Sequence, residues 1–147
     1  MITANSLNQL LQSVCDQFLQ ESKNRPPEKF EEEGGFVLQR GEEFGFERVR
    51  NSNTGTPIAV ALYTADRDEF AGKVCGAICE KWGCLASFHT HPPGCGPMPS
   101  REDLTKLFKS FPTNFIFSPD MALLVRYDYK KEDNSWLAQE VKIHSPN

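Results

Sequence analysis

The sequence lacks the features that would place it in a membrane, in a secretory pathway or on a nucleic acid. No apolar run in its 147 residues approaches the length that spans a bilayer. The first residues, MITANSLNQLLQ, contain neither the basic segment nor the long apolar segment of a secretory signal. The net charge is −4 and no cluster of Lys or Arg stands out, so a phosphate backbone is not expected as a partner. We therefore expect a cytoplasmic protein that binds neither membranes nor nucleic acids.

Repeats, linkers and low-complexity tracts are also missing, and with 39% hydrophobic and 24% charged residues the chain 1–147 is expected to form one domain. Strands alternate with helices in the predicted order, which indicates a single α/β (α+β) domain. The first helix is predicted at residues 4–21, and the helix at 66–81 is predicted to bury Val74 and Ile78 and to end at Gly83. A third helix is predicted at 100–111, and strands at 36–38, 44–49, 57–63, 84–88, 114–117, 122–129 and 135–143.

Cysteine is present in an odd number, five, which favours free thiols in a reducing compartment. Cys75, Cys79 and Cys84 are separated by three and four residues, whereas the knuckles of zinc ribbons have two between their cysteines. We therefore expect these three cysteines to be small buried hydrophobic residues and not metal ligands.

Histidine is scarce, and two of the three histidines, His89 and His91, stand one residue apart after a short apolar run. Side chains at i and i+2 of an extended segment point the same way, so both imidazoles can face one point. Downstream, Pro99 and Ser100 begin a predicted helix with Ser100 at the N-cap and Asp103 in the first turn. The turn is expected to direct Asp103 back towards the histidines.

Two neutral imidazoles and one carboxylate, with a fourth position open, are the ligands of a catalytic zinc and not of a structural one. The alternative is that His89 and His91 are ordinary strand and loop residues. This alternative is less favoured because a serine and an aspartate, Ser100 and Asp103, follow the histidine pair at helical spacing. The sequence therefore predicts one Zn²⁺ held by His89, His91 and Asp103.

The segment HTHPPGCGPMPSREDL at residues 89–104 resembles the JAMM signature of the MPN/JAB zinc metalloproteases, His-x-His-Pro followed by Ser-x-x-Asp. It is also similar to the RadC-like branch of that fold. Eight residues separate His91 from Ser100, one more than in most members of the family. The resemblance implies a JAB/MPN domain with a mixed central sheet flanked by helices and with its metal motif at 89–103.

The resemblance also implies two catalytic residues outside the ligand set. In the family a glutamate precedes a glycine and bulky apolar residues at an early strand, which places Glu32 of the run EEEGGF as the general base. If Glu32 faces the metal, strand alternation directs Glu31 and Glu33 away. Ser100 would donate a hydrogen bond to the oxyanion.

The activity implied is hydrolysis of a peptide or isopeptide bond, with a ubiquitin-like protein or its conjugates as partner, in a bacterial conjugation or antiviral operon. A phage-tail JAB peptidase and a non-catalytic MPN scaffold that binds a partner protein are alternatives within the family. A cysteine peptidase that uses Cys95 with a histidine is a further alternative. Cys95 has no evident helix N-terminus to lower the pKa of its thiol, which makes that interpretation weaker.

Overall fold

The structure is a computed structural model that describes residues 1–26, 31–53, 63–101, 103–104 and 108–144. Its described strands form one seven-stranded sheet in the order β1-β3-β2-β4-β5-β6-β7, in which only β4 and β5 run parallel. The strands are β1 Ile2–Ala4, β2 Gly34–Arg40, β3 Glu43–Val49, β4 Gly83–Thr90, β5 Thr113–Ser118, β6 Leu123–Lys130 and β7 Ser135–Val141. The helices are α1 Leu7–Lys23, α2 Arg67–Phe70, α3 Gly76–Cys79 and α4 Phe108–Ser110, with a π-helical segment Ala71–Cys75 between α2 and α3. The fold is therefore mixed α+β, with a mostly antiparallel sheet.

The two faces of the sheet are covered by different helices, as strand alternation requires. Val37 of β2 packs in one core cluster with Val14 and Phe18 of α1, whereas its neighbours Phe36 and Leu38 pack on the other face with Val74. The Phe18 ring stacks on Phe88 of β4 with centroids 5.7 Å apart. The predicted mixed sheet with flanking helices is therefore confirmed.

The first helix begins later than the predicted residue 4, because Ala4 ends β1 and pairs with Phe44 of β3. Ser6 caps the helix instead, and its side chain accepts a hydrogen bond from the Gln9 N–H at 3.2 Å. The described part of the chain contains no helix that is both long and apolar enough to cross a membrane. The strand predicted at 57–63 lies outside the described residues, except for Tyr63.

The second helical region corrects two predictions. Ile78 is 46% exposed, and Ala77, which lies on the same side of the helix as Val74, is buried in its place. The helix ends at Cys79 with Glu80 as its C-cap, and Lys81, whose φ is 74°, follows the cap in the position where a glycine such as Gly83 was expected. The Trp82 N–H donates to the Ala77 carbonyl at 3.1 Å and closes the last turn, a geometry that usually uses glycine.

The cysteines correct a third prediction. Cys75, Cys79 and Cys84 are exposed, and only Cys15 is buried. The first two lie on the solvent side of the helical region that contacts the sheet through Val74 and Ala77. Cysteine is usually a buried residue, but the sheet covers only the opposite side of this helical region. All five thiols are unpaired.

A close contact between β2 and β4 brings distant parts of the chain together at one end of the sheet. Gly34 pairs with His89, and a Cβ atom at residue 34 would lie 2.2 Å from the Phe88 carbonyl oxygen. Glycine is therefore required at this position. Because the strands are antiparallel, the residues just before β2 lie beside those at the end of β4.

Candidate metal centre

Four polar side chains converge at this end of the sheet and are almost completely buried. One ligand atom from each of Glu32, His89, His91 and Asp103 lies within 4.8 Å of all the others. Their exposed fractions are 3%, 0%, 4% and 5%. Buried titratable groups are rarely left without partners, so this cluster requires an explanation from chemistry.

The two histidines come from the end of β4. His89 lies in the strand and His91 follows Thr90, and the His91 N–H donates to the Phe117 carbonyl of β5 at 2.9 Å. Their Nε2 atoms are 3.2 Å apart. Thr90 points the other way, where its hydroxyl accepts the Glu33 N–H at 3.0 Å. The structure therefore places both imidazoles on one side, as the i, i+2 spacing predicts.

Asp103 reaches the histidines from the helical turn that starts at Ser100. Its N–H donates to Ser100 Oγ at 3.1 Å, and the Ser100 N–H donates to Asp103 Oδ2 at 2.9 Å. Asp103 Oδ2 lies 3.1 Å from His91 Nε2, and Oδ1 lies 3.2 Å from His89 Nε2. Burial raises the pKa of Asp103, but hydrogen bonds from both histidines and the charge of His89 outweigh it and hold the pKa well below its usual range.

A backbone carbonyl selects the tautomer of His91. Its Nδ1 lies 2.9 Å from the Gly96 carbonyl oxygen, which can only accept, so Nδ1 carries the proton. In the neutral ring, Nε2 therefore presents a lone pair towards His89 and Asp103. Gly96 has φ of +63°, a conformation that glycine adopts at little cost. Burial lowers the pKa of His91, but Asp103 and Glu32 outweigh burial and raise the pKa above its ordinary value.

The residues fit a divalent cation on distance and on charge. His89 Nε2, His91 Nε2 and the two Asp103 oxygens are separated by 3.1–3.2 Å across the three side chains. A tetrahedral zinc with bonds of about 2.0–2.1 Å places its ligand atoms about 3.3–3.4 Å apart. With neutral histidines, the two buried carboxylates leave two negative charges, which one divalent ion neutralises. Imidazole donors favour zinc over calcium or magnesium.

Glu32 lies on the fourth side of the cluster and is fixed at two points. Its Oε1 accepts the Tyr63 N–H at 3.0 Å, and its backbone carbonyl accepts from Asn51 Nδ2 at 2.8 Å. Burial raises the pKa of Glu32, and the nearby histidines reduce the effect without cancelling it. Glu31 is exposed, and Glu33 pairs with Arg25 and Arg48. The structure therefore brings Glu32, and not its neighbours, to the histidines.

Ser100 is the remaining predicted site residue, and the structure places it beside Asp103 as the cap of the turn. Accepting the Asp103 N–H does not use the hydroxyl's own proton, so Ser100 can still donate. Cys95 is exposed in the same loop.

Three residues at the site were missed from sequence. The Tyr63 ring stacks on the His89 ring with centroids 6.0 Å apart and planes 9° apart. Asn51 and Gly96 hold Glu32 and His91 by hydrogen bonds. No local pattern marks these residues, because their contacts depend on tertiary structure.

Among the described residues His89 Nδ1 is buried without a hydrogen-bond partner.

Comparison with known proteins yields a likeness of fold only. No protein-family model and no curated protein matches the chain. Among solved structures, the chain is similar to the solution structure of a protein from Salinibacter ruber, with a TM-score of 0.50 and 21% sequence identity. The match covers 92% of this chain and 89% of the other. At that identity the similarity concerns the fold and carries no function.

Proposed function

We propose that this protein is a zinc-dependent hydrolase that cleaves peptide or isopeptide bonds. The observation that carries the proposal is the buried cluster in which one carboxylate and two imidazoles have the spacing of zinc ligands while a second carboxylate stands beside them. His89, His91 and Asp103 would hold the ion. When bound, zinc would polarise a water molecule and lower its pKa to about 7.

Glu32 is the acid–base residue in this proposal. Burial raises the pKa of the Glu32 carboxyl towards neutral pH. A carboxyl with a raised pKa can act first as a general base and then as a general acid. The carboxylate takes a proton from the attacking water and later delivers it to the leaving amine. The Tyr63 N–H on Oε1 keeps the group oriented during both transfers.

Ser100 is the oxyanion donor in this proposal. Its position is set by the reciprocal hydrogen bonds with Asp103, so the hydroxyl has a fixed origin next to the ligand set. A donor of this kind typically contributes about 3 kcal/mol to the stabilisation of the transition state.

For the substrate we propose a ubiquitin-like protein, or its conjugate, cut at a C-terminal glycine tail. The JAMM-like motif supports the choice, and so does the burial of all four polar residues to 5% exposure or less. A chain that reaches such a site must be narrow at the scissile bond, and two glycines form the narrowest peptide available.

The test uses ubiquitin-like proteins extended after Gly-Gly by a peptide-bonded or lysine-linked reporter, with cleavage followed by mass spectrometry. We expect release of the reporter at the glycine carbonyl, loss of activity with a strong chelator and recovery with zinc. A matched substrate ending in Val-Val is expected to resist cleavage. A protein that binds zinc and the tag but leaves every bond intact would support the scaffold alternative and contradict the hydrolase.

A further inference from the structure

Two residues, Asn51 and Tyr63, hold the backbone and the carboxylate of Glu32. Asn51 Nδ2 donates to the Glu32 carbonyl at 2.8 Å, and the Tyr63 N–H donates to Glu32 Oε1 at 3.0 Å. These partners lie 19 and 31 residues after Glu32 in sequence. The glutamate is therefore fixed at its backbone carbonyl and at its carboxylate by residues distant in sequence.

Asn51 also links the two anchoring points to each other. Its Oδ1 accepts the Thr64 N–H at 3.0 Å, and its backbone forms a bridge with Ala65. The Ser52 N–H donates to the Thr64 carbonyl at 2.7 Å in the same pairing. One amide side chain therefore sets the distance between the Glu32 backbone and the segment that supplies the Tyr63 N–H.

We propose that Asn51 is a positioning residue for Glu32: it ties the Glu32 carbonyl to the Tyr63 segment and so holds the Glu32 carboxylate towards His89 and His91. The inference rests on the proposed function in assigning Glu32 the proton transfers. A glutamate has several rotatable bonds, and a misplacement of about 1 Å at a reacting group can cost about a hundredfold in rate. Stacking of the Tyr63 ring on His89 connects the same segment to the metal ligands.

The decisive variant is Asn51→Asp, which has the same shape. It keeps Oδ1 to accept the Thr64 N–H but replaces the donor to the Glu32 carbonyl by an oxygen. Asn53→Asp is the matched control, because Asn53 lies in the same loop and its Nδ2 donates to Thr64 Oγ1 at 2.8 Å. Both variants add the same charge, so the control separates the lost hydrogen bond from the added charge.

For Asn51→Asp we expect kcat to fall about tenfold to a hundredfold, with KM and zinc content at the wild-type level. Asn53→Asp is expected to keep the wild-type kcat. In a Glu32→Gln background, Asn51→Asp should lower the residual rate by less than about twofold, because its effect acts through Glu32. A full loss in that background would overturn the proposal, as would a wild-type kcat in Asn51→Asp.

Amide hydrogen exchange in the zinc-free protein gives a second readout that needs no activity. In Asn51→Asp the Tyr63 N–H should exchange at least about fivefold faster, because its acceptor is no longer held in place, whereas the Thr64 N–H should keep its rate. Equal protection of Tyr63 in wild type and variant would contradict the positioning role. If wild type neither binds zinc nor cleaves any substrate, the proposed function fails, and the exchange rates still decide whether Asn51 holds Glu32.

Discussion

Two clusters of charge lie on opposite sides of the segment that enters β2, and they differ in how their charge is balanced. The outer cluster contains Glu21, Arg25, Glu33 and Arg48, joined by ion pairs of 2.7–3.0 Å. Two glutamates face two arginines, so the chain itself supplies every counter-charge. These side chains are 22–33% exposed, and the cluster needs nothing from outside the protein.

The inner cluster contains Glu32, His89, His91 and Asp103 and has no permanent cation among the described residues. Its two carboxylates are more deeply buried than any carboxylate of the outer cluster. Glu32 and Glu33 are neighbours in sequence, but Glu32 lies with the histidines and Glu33 pairs with Arg25 and Arg48. The difference teaches that the outer cluster balances its own charge, whereas the inner cluster could hold a metal ion.

The largest expected effect comes from removing the negative charge of Glu32, with removal of the charge of Glu33 as the control. Glu32→Gln should lower turnover by about 10²–10⁴-fold with zinc retained, because an amide cannot accept the proton from water. Glu33→Gln should keep turnover within about threefold and cost at most about 1 kcal/mol of stability, as expected for partly exposed ion pairs. Steady-state kinetics and metal content check both variants. If Glu32→Gln keeps wild-type turnover while Glu33→Gln binds zinc but is inactive, then Glu33 and not Glu32 is the general base.

A smaller effect is expected on stability when zinc is added. At a free zinc concentration a hundredfold above Kd, the free energy of unfolding of wild type should rise by about 2.7 kcal/mol. Asp103→Ala should lose most of this gain, and Arg48→Met, which removes a cation of the outer cluster, should keep it. Urea unfolding with and without zinc measures the difference. An equal gain in wild type and Asp103→Ala would show that the ion binds elsewhere.

The local part of the site could be predicted from sequence, and the part that depends on tertiary contacts could not. His89 and His91 follow from the two-residue period of a strand, and Asp103 from the first turn of a helix capped by Ser100. Glu32 required a family resemblance, since only the pairing of Gly34 with His89 brings it to the site. Asn51 and Tyr63 left no signal, because no periodicity links them to Glu32.

The same limit explains the errors in the fold. Apolar periodicity identified the helical region that contains Val74, but it could not decide whether Ala77 or Ile78 would meet the sheet. The exposed Cys75 and Cys79 show that an apolar residue type is not evidence of burial when only one side of a helix is covered. The short strand β1 was missed because three residues are too few to show a period.

The next expected effect is a fall in the stability of the metal-free protein as pH rises. The pKa values of His91 and Glu32 are raised in the folded state, so both groups stabilise the fold at low pH and lose that contribution as pH rises through their folded pKa. The pKa of Asp103 is lowered, and its contribution is lost only in strong acid. Above the ordinary His pKa of about 6.5, stability should therefore fall, by at most about 1.4 kcal/mol per pH unit for each proton released.

Unfolding in the presence of a chelator at pH 6, 7 and 8 measures this slope. His91→Ala should flatten it, and Arg48→Met, the control in the outer cluster, should leave it unchanged. A metal-free protein that becomes more stable from pH 6 to pH 8 would contradict the proposed balance of charge in the inner cluster.

The smallest effect is expected at Cys95, which is exposed in the loop between His91 and Ser100. Cys95→Ser should keep wild-type turnover, and thiol alkylation should not inhibit, because the nucleophile is a water molecule and not a thiolate. Kinetics before and after alkylation check this. An inactive Cys95→Ser enzyme that still binds zinc would favour the cysteine peptidase.

Metal content tests the central claim most directly. Purified wild type, loaded with zinc and freed of excess ion, should contain one zinc per chain by elemental analysis. The double variant His89→Ala, His91→Ala should contain close to none, because it removes two of three ligands, whereas Arg25→Met, Arg48→Met should contain as much as wild type. Full zinc retention in the double histidine variant, or no zinc in wild type, would contradict the account of the inner cluster.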